Sequence, residues 1–407
     1  MADTVKVALL GLGTIGSGVY KLIERQQEEM SSKAGASIEI AAILVHNLGK
    51  EREGVDRTLL TDRWEDIINN EEIQIVIELM GGIEPARTMI LEALKAGKNV
   101  VTANKDLVAE YGGELLDTAA EKGVDFLFEA AVVGGIPIIR PMKQCLAVNE
   151  IDEVMGIVNG TTNYILTKMF EEGMDFDEAL AQATELGYAE ADPTADVEGL
   201  DAGRKIAILA SIAFHSRIGF SDVYTEGITR ITARDIAYAR ELGPMLLPQH
   251  HPLASVRDSF NAIFVHGDAV DDAMFYGRGA GQLPTASAVM GDVIDVVRNL
   301  GYHCTGRINC TCYRDTPVKP FEQMKNLFFV RMQVENKPGV LAGIASIFGS
   351  HKVSISQVVQ KIVAKGSAEL VIVTEAVKEF HMQDALRHLE ELETVREISS
   401  VIRQYGK

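Results

Sequence analysis

Apolar and polar positions change their period several times along the chain, and each change marks an element. Residues 5–10 form a short continuous apolar run, which predicts a strand buried on both faces. Residues 19–30 carry a helical pattern, and a second strand is expected at 38–45. The alternation continues with a strand at 73–79, a helix at 85–96 closed by Gly97, and strands at 99–102 and 124–130. Strands alternating with helices predict a parallel, doubly wound sheet.

After Asn149 that order is lost. A strand is expected at 154–158, a helix at 164–169 with Thr161 or Thr162 as its N-cap, and a helix at 175–186. A further helix starts near Val197, strands follow at 262–267 and 273–276, and a helix covers 284–300. This mixture reads as an α+β domain. Residues 301–325 show no clear period and contain Gly301, Gly306, Pro317 and Pro320, which suits a linker. The tail then reads strand 328–334, helix 340–348, strands 353–361 and 367–374, helix 381–392 and strand 395–404, a βαββαβ order. The expectation is an α/β protein with a Rossmann domain at 1–135 and a substrate-binding, catalytic and dimerisation domain at 136–305. A linker at 306–325 and a ferredoxin-like module at 326–407 complete it.

Composition narrows the class. A chain of 407 residues with 47% hydrophobic and 24% charged content is that of a soluble globular protein with two or three domains. A net charge of −19, with no basic stripe, speaks against nucleic acid or an anionic membrane as partner. Four cysteines do not make a disulfide framework, and Cys310-Thr-Cys312 with Cys304 lacks the second pair that a zinc site needs. With no apolar span and no charged leader with an apolar core, a cytoplasmic location is expected.

Candidate chemistry begins at the first strand. Gly11-Leu-Gly13-Thr14-Ile15-Gly16 lies between strand and helix, the context in which such glycines cradle a dinucleotide pyrophosphate on backbone N–H groups. The tip of the second strand carries His46-Asn-Leu-Gly-Lys50-Glu-Arg52 in place of the carboxylate that suits NAD. Lys50 and Arg52 can meet a 2′-phosphate, so NADP is favoured with NAD possible. Lys105 follows a strand's C-terminal end, where open α/β sheets bind ligands. Glu129 precedes a glycine-rich loop, Ala131 to Pro137, that by itself reads as a hinge. The most crowded stretch is 183–205, where Asp201, Lys205, Ile208 and Ile212 fall on one helical stripe. Two lysines converging on one oxygen lower each other's pKa. Lys105 and Lys205 can form that pair, with Asp201 orienting Lys205. His215, His250 and His251 lie outside any motif and read as solvated or satisfied side chains.

Ala183, Gly187, Asp192-Pro193, Asp196, Gly199, Asp201 and Lys205, in this order and spacing, resemble the signature of the homoserine dehydrogenases. VVTANKDLVA (100–109), EAAVVGGIP (129–137), NGTTNYIL (159–166) and GRGAG (277–281) extend the likeness, and the tail with Lys337-Pro-Gly-Val-Leu341 resembles an ACT domain. The resemblance implies NAD(P)-dependent interconversion of L-aspartate 4-semialdehyde and L-homoserine, on the route to threonine, methionine and isoleucine. It implies that Lys105 reaches the nicotinamide and the reacting oxygen. It implies that Glu190, with Tyr188 nearby, takes the substrate ammonium, with Asp196 as a second candidate. It further implies a sodium or potassium ion on Glu129 and the carbonyls of Val132, Gly134 and Ile136. The ACT module implies a small amino-acid effector, L-threonine being expected, and a homodimer or homotetramer. With no kinase-like segment ahead of Met1, a monofunctional enzyme is expected. A related oxidoreductase acting on another carbonyl and a non-catalytic amino-acid sensor are the competing readings.

Overall fold

The N-terminal apolar run is strand β1 (Thr4–Leu10), and the glycine-rich turn after it opens helix α1 (Thr14–Ala34). The computed structural model describes residues 4–241, 247–248, 251–308 and 310–405. Strands β2 (Ser37–Leu44) and β3 (Leu60–Thr61), the short helix α2 (Glu65–Ile68), β4 (Ile73–Glu78), α3 (Ala86–Lys95), β5 (Asn99–Thr102), α4 (Lys105–Lys122) and β6 (Phe126–Leu127) follow. The six strands form one parallel sheet in the order β3-β2-β1-β4-β5-β6. Val7, Leu9, Ile75, Ile77 and Val101 are fully buried, as continuous apolar strands covered by helices on both faces require. The strand expected at 124–130 is shorter. It stops at Leu127, and Glu129–Ala131 turn as a 3-10 helix so that the Glu129 carboxylate can reach backbone N–H groups beyond the loop.

The middle of the chain comprises β7 (Ile151–Ile157), α5 (Gly160–Glu171), α6 (Phe176–Glu185), α7 (Thr194–Val197), α8 (Leu200–Ala213), α9 (Ala233–Glu241), β8 (Phe260–Gly267), β9 (Asp271–Arg278) and α10 (Gln282–Gly301). Strands β7, β8 and β9 make an antiparallel sheet. Helix α5 is capped by Asn159, whose Oδ1 accepts from Thr162 N at 2.8 Å, so neither Thr161 nor Thr162 is the cap. Helix α10 lies against α1 so closely that a Cβ on Gly18 would meet Gln282 O at 2.8 Å.

The tail comprises β10 (Lys325–Glu335), α11 (Val340–Ser350), β11 (Ile355–Ala364), β12 (Ser367–Thr374), β13 (Val377–Lys378), α12 (Glu379–Glu390) and β14 (Val395–Gln404). Its antiparallel sheet runs β11-β12-β10-β13 with β14 paired to β10, so the βαββαβ order holds with a two-residue strand added. One face packs Phe328, Val330 and Met332 against Ile344, Phe348, Met382 and Leu389 of the two helices. The other face presents Phe329 and Val371, which pack with Tyr238 of α9. Alternation along β10 sends Arg331 to that second face, where it pairs with Asp235 at 2.7 Å and Glu369 at 3.0 Å.

The chain divides into two compact units. The first is Met1–Tyr164, Asp192–Thr225 and Val256–Thr316; the second is Ile165–Ala191, Glu226–Ser255 and Pro317–Lys407. The stretch after α10 has no period because it is an irregular strap bound to the first unit. Gly306 N donates to Asp125 Oδ1 at 2.8 Å, and Arg314 pairs with Glu150 at 2.6 Å. No helix among the described residues is long and apolar enough to cross a membrane.

Candidate active site

Lys105 is positioned from the end of the parallel sheet. Glu78, the last residue of β4, is wholly buried and accepts from Thr102 Oγ1 at 2.6 Å and from Met80 N at 2.8 Å. These bonds fix the loops after β4 and β5. Asn104 Nδ2 donates to Gly82 O at 2.7 Å while its Oδ1 accepts from Leu107 N at 3.2 Å, capping α4. Lys105 is the first residue of that helix. Glu78 lies outside the motifs that mark the site in the sequence, and only its place at a strand end could have signalled it.

Asp201 and Lys205 come from the first turns of α8. Gly199 at φ +78° separates α7 from α8, so the helix starts at Leu200, three residues later than its expected start at Val197. Asp201, Lys205, Ile208 and Ile212 are all buried, as the stripe required. Lys205 Nζ donates to Asp201 Oδ2 at 2.6 Å and to the carbonyl of Val158 at 2.7 Å. On the other carboxylate oxygen, Lys105 Nζ stands 3.2 Å from Asp201 Oδ1. Asn159 Nδ2 donates to Asp201 Oδ2 at 2.9 Å and to Asp196 Oδ1 at 2.6 Å. One carboxylate therefore sits between two ammonium groups, and one amide ties it to Asp196.

This arrangement shifts the ionisable groups. Burial pushes Lys205 below its usual value, the Asp201 charge and hydrogen bond oppose that fall, and the Lys105 charge adds to it. Burial acts to raise Asp201, but the charges of Lys205 and Lys105 and the hydrogen bonds hold it below the ordinary carboxylate value. Lys205 therefore combines a buried ammonium, a lowered pKa and two fixed acceptors. That is the chemistry of a proton donor to a developing alkoxide.

The dinucleotide loop fits its ligand. Gly11 has φ +97°, and a Cβ there would stand 2.9 Å from Leu79 O. A Cβ on Gly16 would strike Gly11 O at 2.3 Å, whereas nothing lies within 4 Å of one on Gly13. That open side at the N-terminus of α1, with Thr14 and Ile15 in its first turn, is the approach a pyrophosphate needs. Gln282 Nε2 donates to Thr14 O at 3.0 Å and brings the 277–281 glycine loop to the same end of the helix. Lys50 is exposed, and Arg52 Nη1 donates to the carbonyls of Asn47 and Lys50.

The loop after Glu129 is tied back to that side chain by the backbone beyond it. Glu129 Oε1 accepts from Ile138 N and Ile139 N, and Oε2 from Arg140 N, so its carboxylate is largely taken by the backbone. Val132, Gly134 and Ile136 are buried, and none of their carbonyls accepts a backbone hydrogen bond among the described residues. A buried carbonyl without a donor calls for water or a cation. Asp292, a residue the sequence did not single out, accepts from Glu129 N and pairs with Arg140; burial, then the Glu129 charge, pushes it up to about 7.

Tyr188 and Glu190 belong to the second unit, on the exposed loop after α6. His215 Nδ1 is 3.1 Å from Thr311 O, and His251 Nδ1 accepts from Leu253 N; His250 lies outside the described residues.

Family models match three consecutive parts of the chain. That for the NAD-binding domain of homoserine dehydrogenase covers residues 11–129, that for homoserine dehydrogenase 137–294, and that for the ACT domain 328–394. The homoserine dehydrogenase of Bacillus subtilis (strain 168) is 42% identical over 99% of this chain and 98% of its own. The chain belongs to the homoserine dehydrogenase family. The crystal structure of a homoserine dehydrogenase from Thiobacillus denitrificans superposes with a TM-score of 0.94 at 39% identity and 100% coverage of both chains. A hyperthermophilic archaeal homoserine dehydrogenase in complex with NADPH matches 72% of this chain and 97% of its own, at 25% identity and a TM-score of 0.61. As a homoserine dehydrogenase family member the chain is an NAD(P)-dependent oxidoreductase with a C-terminal ACT domain.

Proposed function

We propose that the protein reduces L-aspartate 4-semialdehyde to L-homoserine with Lys205 as proton donor, on the route to threonine, methionine and isoleucine. The observation that carries this reading is the Lys105–Asp201–Lys205 cluster, in which one buried carboxylate holds two lysines. Bound NADPH would supply the hydride. Lys205 gives its proton to the carbonyl oxygen as negative charge develops there, and the lowered pKa brings its proton affinity toward working pH. Lys105 adds a second positive charge at the same oxygen and reaches the nicotinamide. Asp201 orients both lysines. Glu190, with Tyr188 beside it, takes the substrate ammonium, and Asp196 is the second candidate.

NADP is favoured over NAD because Lys50 and Arg52 stand where a carboxylate would select NAD, and an archaeal relative binds NADPH. Gly11, Gly13, Thr14, Ile15 and Gly16 hold the pyrophosphate. The buried carbonyls of Val132, Gly134 and Ile136, with Glu129, hold a sodium or potassium ion that fixes the loop. The ACT module takes L-threonine between paired copies of a homodimer or homotetramer in the cytoplasm. The test is purified full-length protein with L-homoserine and either NADP⁺ or NAD⁺. Homoserine-dependent appearance of reduced nicotinamide, faster with NADP⁺, is expected. Oxidation of other hydroxy amino acids with none of homoserine would turn the reading toward a different carbonyl substrate.

A further inference from the structure

A cavity of about 250 Å³ lies in the first unit beside α4 and α8, its lining starting at Val108 and Ile208, about one turn beyond Lys105 and Lys205. Lys143, Arg217, Cys310, Thr311 and Cys312 line part of its wall. Both cysteines are half-buried free thiols. Cys312 N donates to Cys310 Sγ at 3.4 Å, and the Arg217 guanidinium, held on Asp117, also reaches that sulfur. The Cys312 thiol hydrogen bond, the backbone bond, Arg217 and Lys143 together hold the Cys310 thiol well below its usual pKa, against the effect of burial. Among the described residues no group of three His, Cys, Asp or Glu is placed to hold a metal, so the pair is not explained as ligands. Thr311 Oγ1, between the two cysteines, is buried without a hydrogen-bond partner among the described residues.

We propose that Cys310 and Cys312 are a peroxide-sensitive thiol pair whose closure to a disulfide lowers turnover. The oxidant is a small hydroperoxide, hydrogen peroxide being the simplest, which the cavity admits. The Cys310 thiolate attacks one peroxide oxygen; the O–O bond breaks, a sulfenic acid forms, and the departing hydroxide takes a proton to leave as water. Cys312 then attacks the Cys310 sulfur. The S–O bond breaks, the Cys312 proton leaves with hydroxide as a second water, and two thiols have lost two electrons to one peroxide. Two residues apart, the Cα atoms can be separated by at most about 7 Å, close to the usual disulfide range, so a small backbone bend suffices.

The route to catalysis runs along α8. Cys312 Sγ lies 3.4 Å from Ser211 O, Thr311 O is 3.1 Å from His215 Nδ1, and Arg314 N donates to His215 O at 2.8 Å. These contacts fasten the strap to the last turns and end of the helix that begins with Asp201 and Lys205. Closing the disulfide withdraws the Cys312 sulfur from Ser211 and reshapes the strap.

The test treats full-length protein with hydrogen peroxide, blocks the remaining thiols, maps peptides by mass spectrometry and measures kcat. Loss of two hydrogens between Cys310 and Cys312, with a several-fold fall in kcat that dithiothreitol reverses, is expected. Cys310→Ser should keep its basal rate and resist peroxide, while Cys145→Ser should behave as wild type. Oxidation confined to Cys145 or Cys304, or a 310–312 disulfide with unchanged kcat, overturns the proposal. The wild-type mapping decides the site even if a variant fails to fold.

Discussion

Asp201 is the residue on which the two lysines depend. Its carboxylate raises the proton affinity of Lys205 against burial and the Lys105 charge, so any titration seen in rate profiles belongs to the coupled group. Reduction needs a protonated donor, so its rate should fall as pH rises through a value below 10.5, and homoserine oxidation should rise over the same window. Asp201→Asn removes the opposing charge and should move both limbs to lower pH in kcat–pH profiles. Unmoved limbs would mean that Lys205 is not the titrating group. The i,i+4 pair was legible because helical spacing places Asp201 and Lys205 on one buried stripe. Asn159 was legible only as part of a motif, because its bond to Asp201 spans 42 residues and local periodicity carries no sign of it.

At the scale of elements, the parallel sheet was the most legible part, since buried strands and amphipathic helices each impose a period. Some readings missed because a side chain had reached over the backbone: Glu129 ended β6 early, and Asn159 displaced the threonines as the cap of α5; the late start of α8 came instead from the left-handed backbone at Gly199. The loop after β2 is where the proposed cofactor choice is tested. Replacing Lys50 and Arg52 together with Ala should raise the KM for NADP⁺ far more than that for NAD⁺, because only the 2′-phosphate gains from those charges. Arg52 also bonds two carbonyls of its own loop, so a modest loss with both cofactors is expected. Equal losses would show that neither side chain meets the phosphate.

Across the whole molecule, the tail module is bound into the second unit more firmly than its sequence suggests. Arg331 and Asp235 are 96 residues apart and both buried, and Ser400 Oγ donates to the same carboxylate at 2.6 Å. Deleting residues 326–407 would strip Tyr238 and Asp235 of that cover, so control is better tested in the intact chain. With L-threonine as the proposed effector, Asn336→Ala, in the turn before α11, should keep the uninhibited rate and weaken inhibition; a coupling of about 1–3 kcal/mol gives roughly five- to 150-fold inhibition to lose. Unchanged inhibition would move the effector away from this turn. The central claim concerns proton transfer, and kcat for aspartate 4-semialdehyde reduction by Lys205→Ala tests it most directly. With folding intact by circular dichroism, a fall of roughly 10²–10⁴ is predicted for loss of a general acid. A rate close to that of the unaltered protein would contradict it and leave Lys105 to carry the proton.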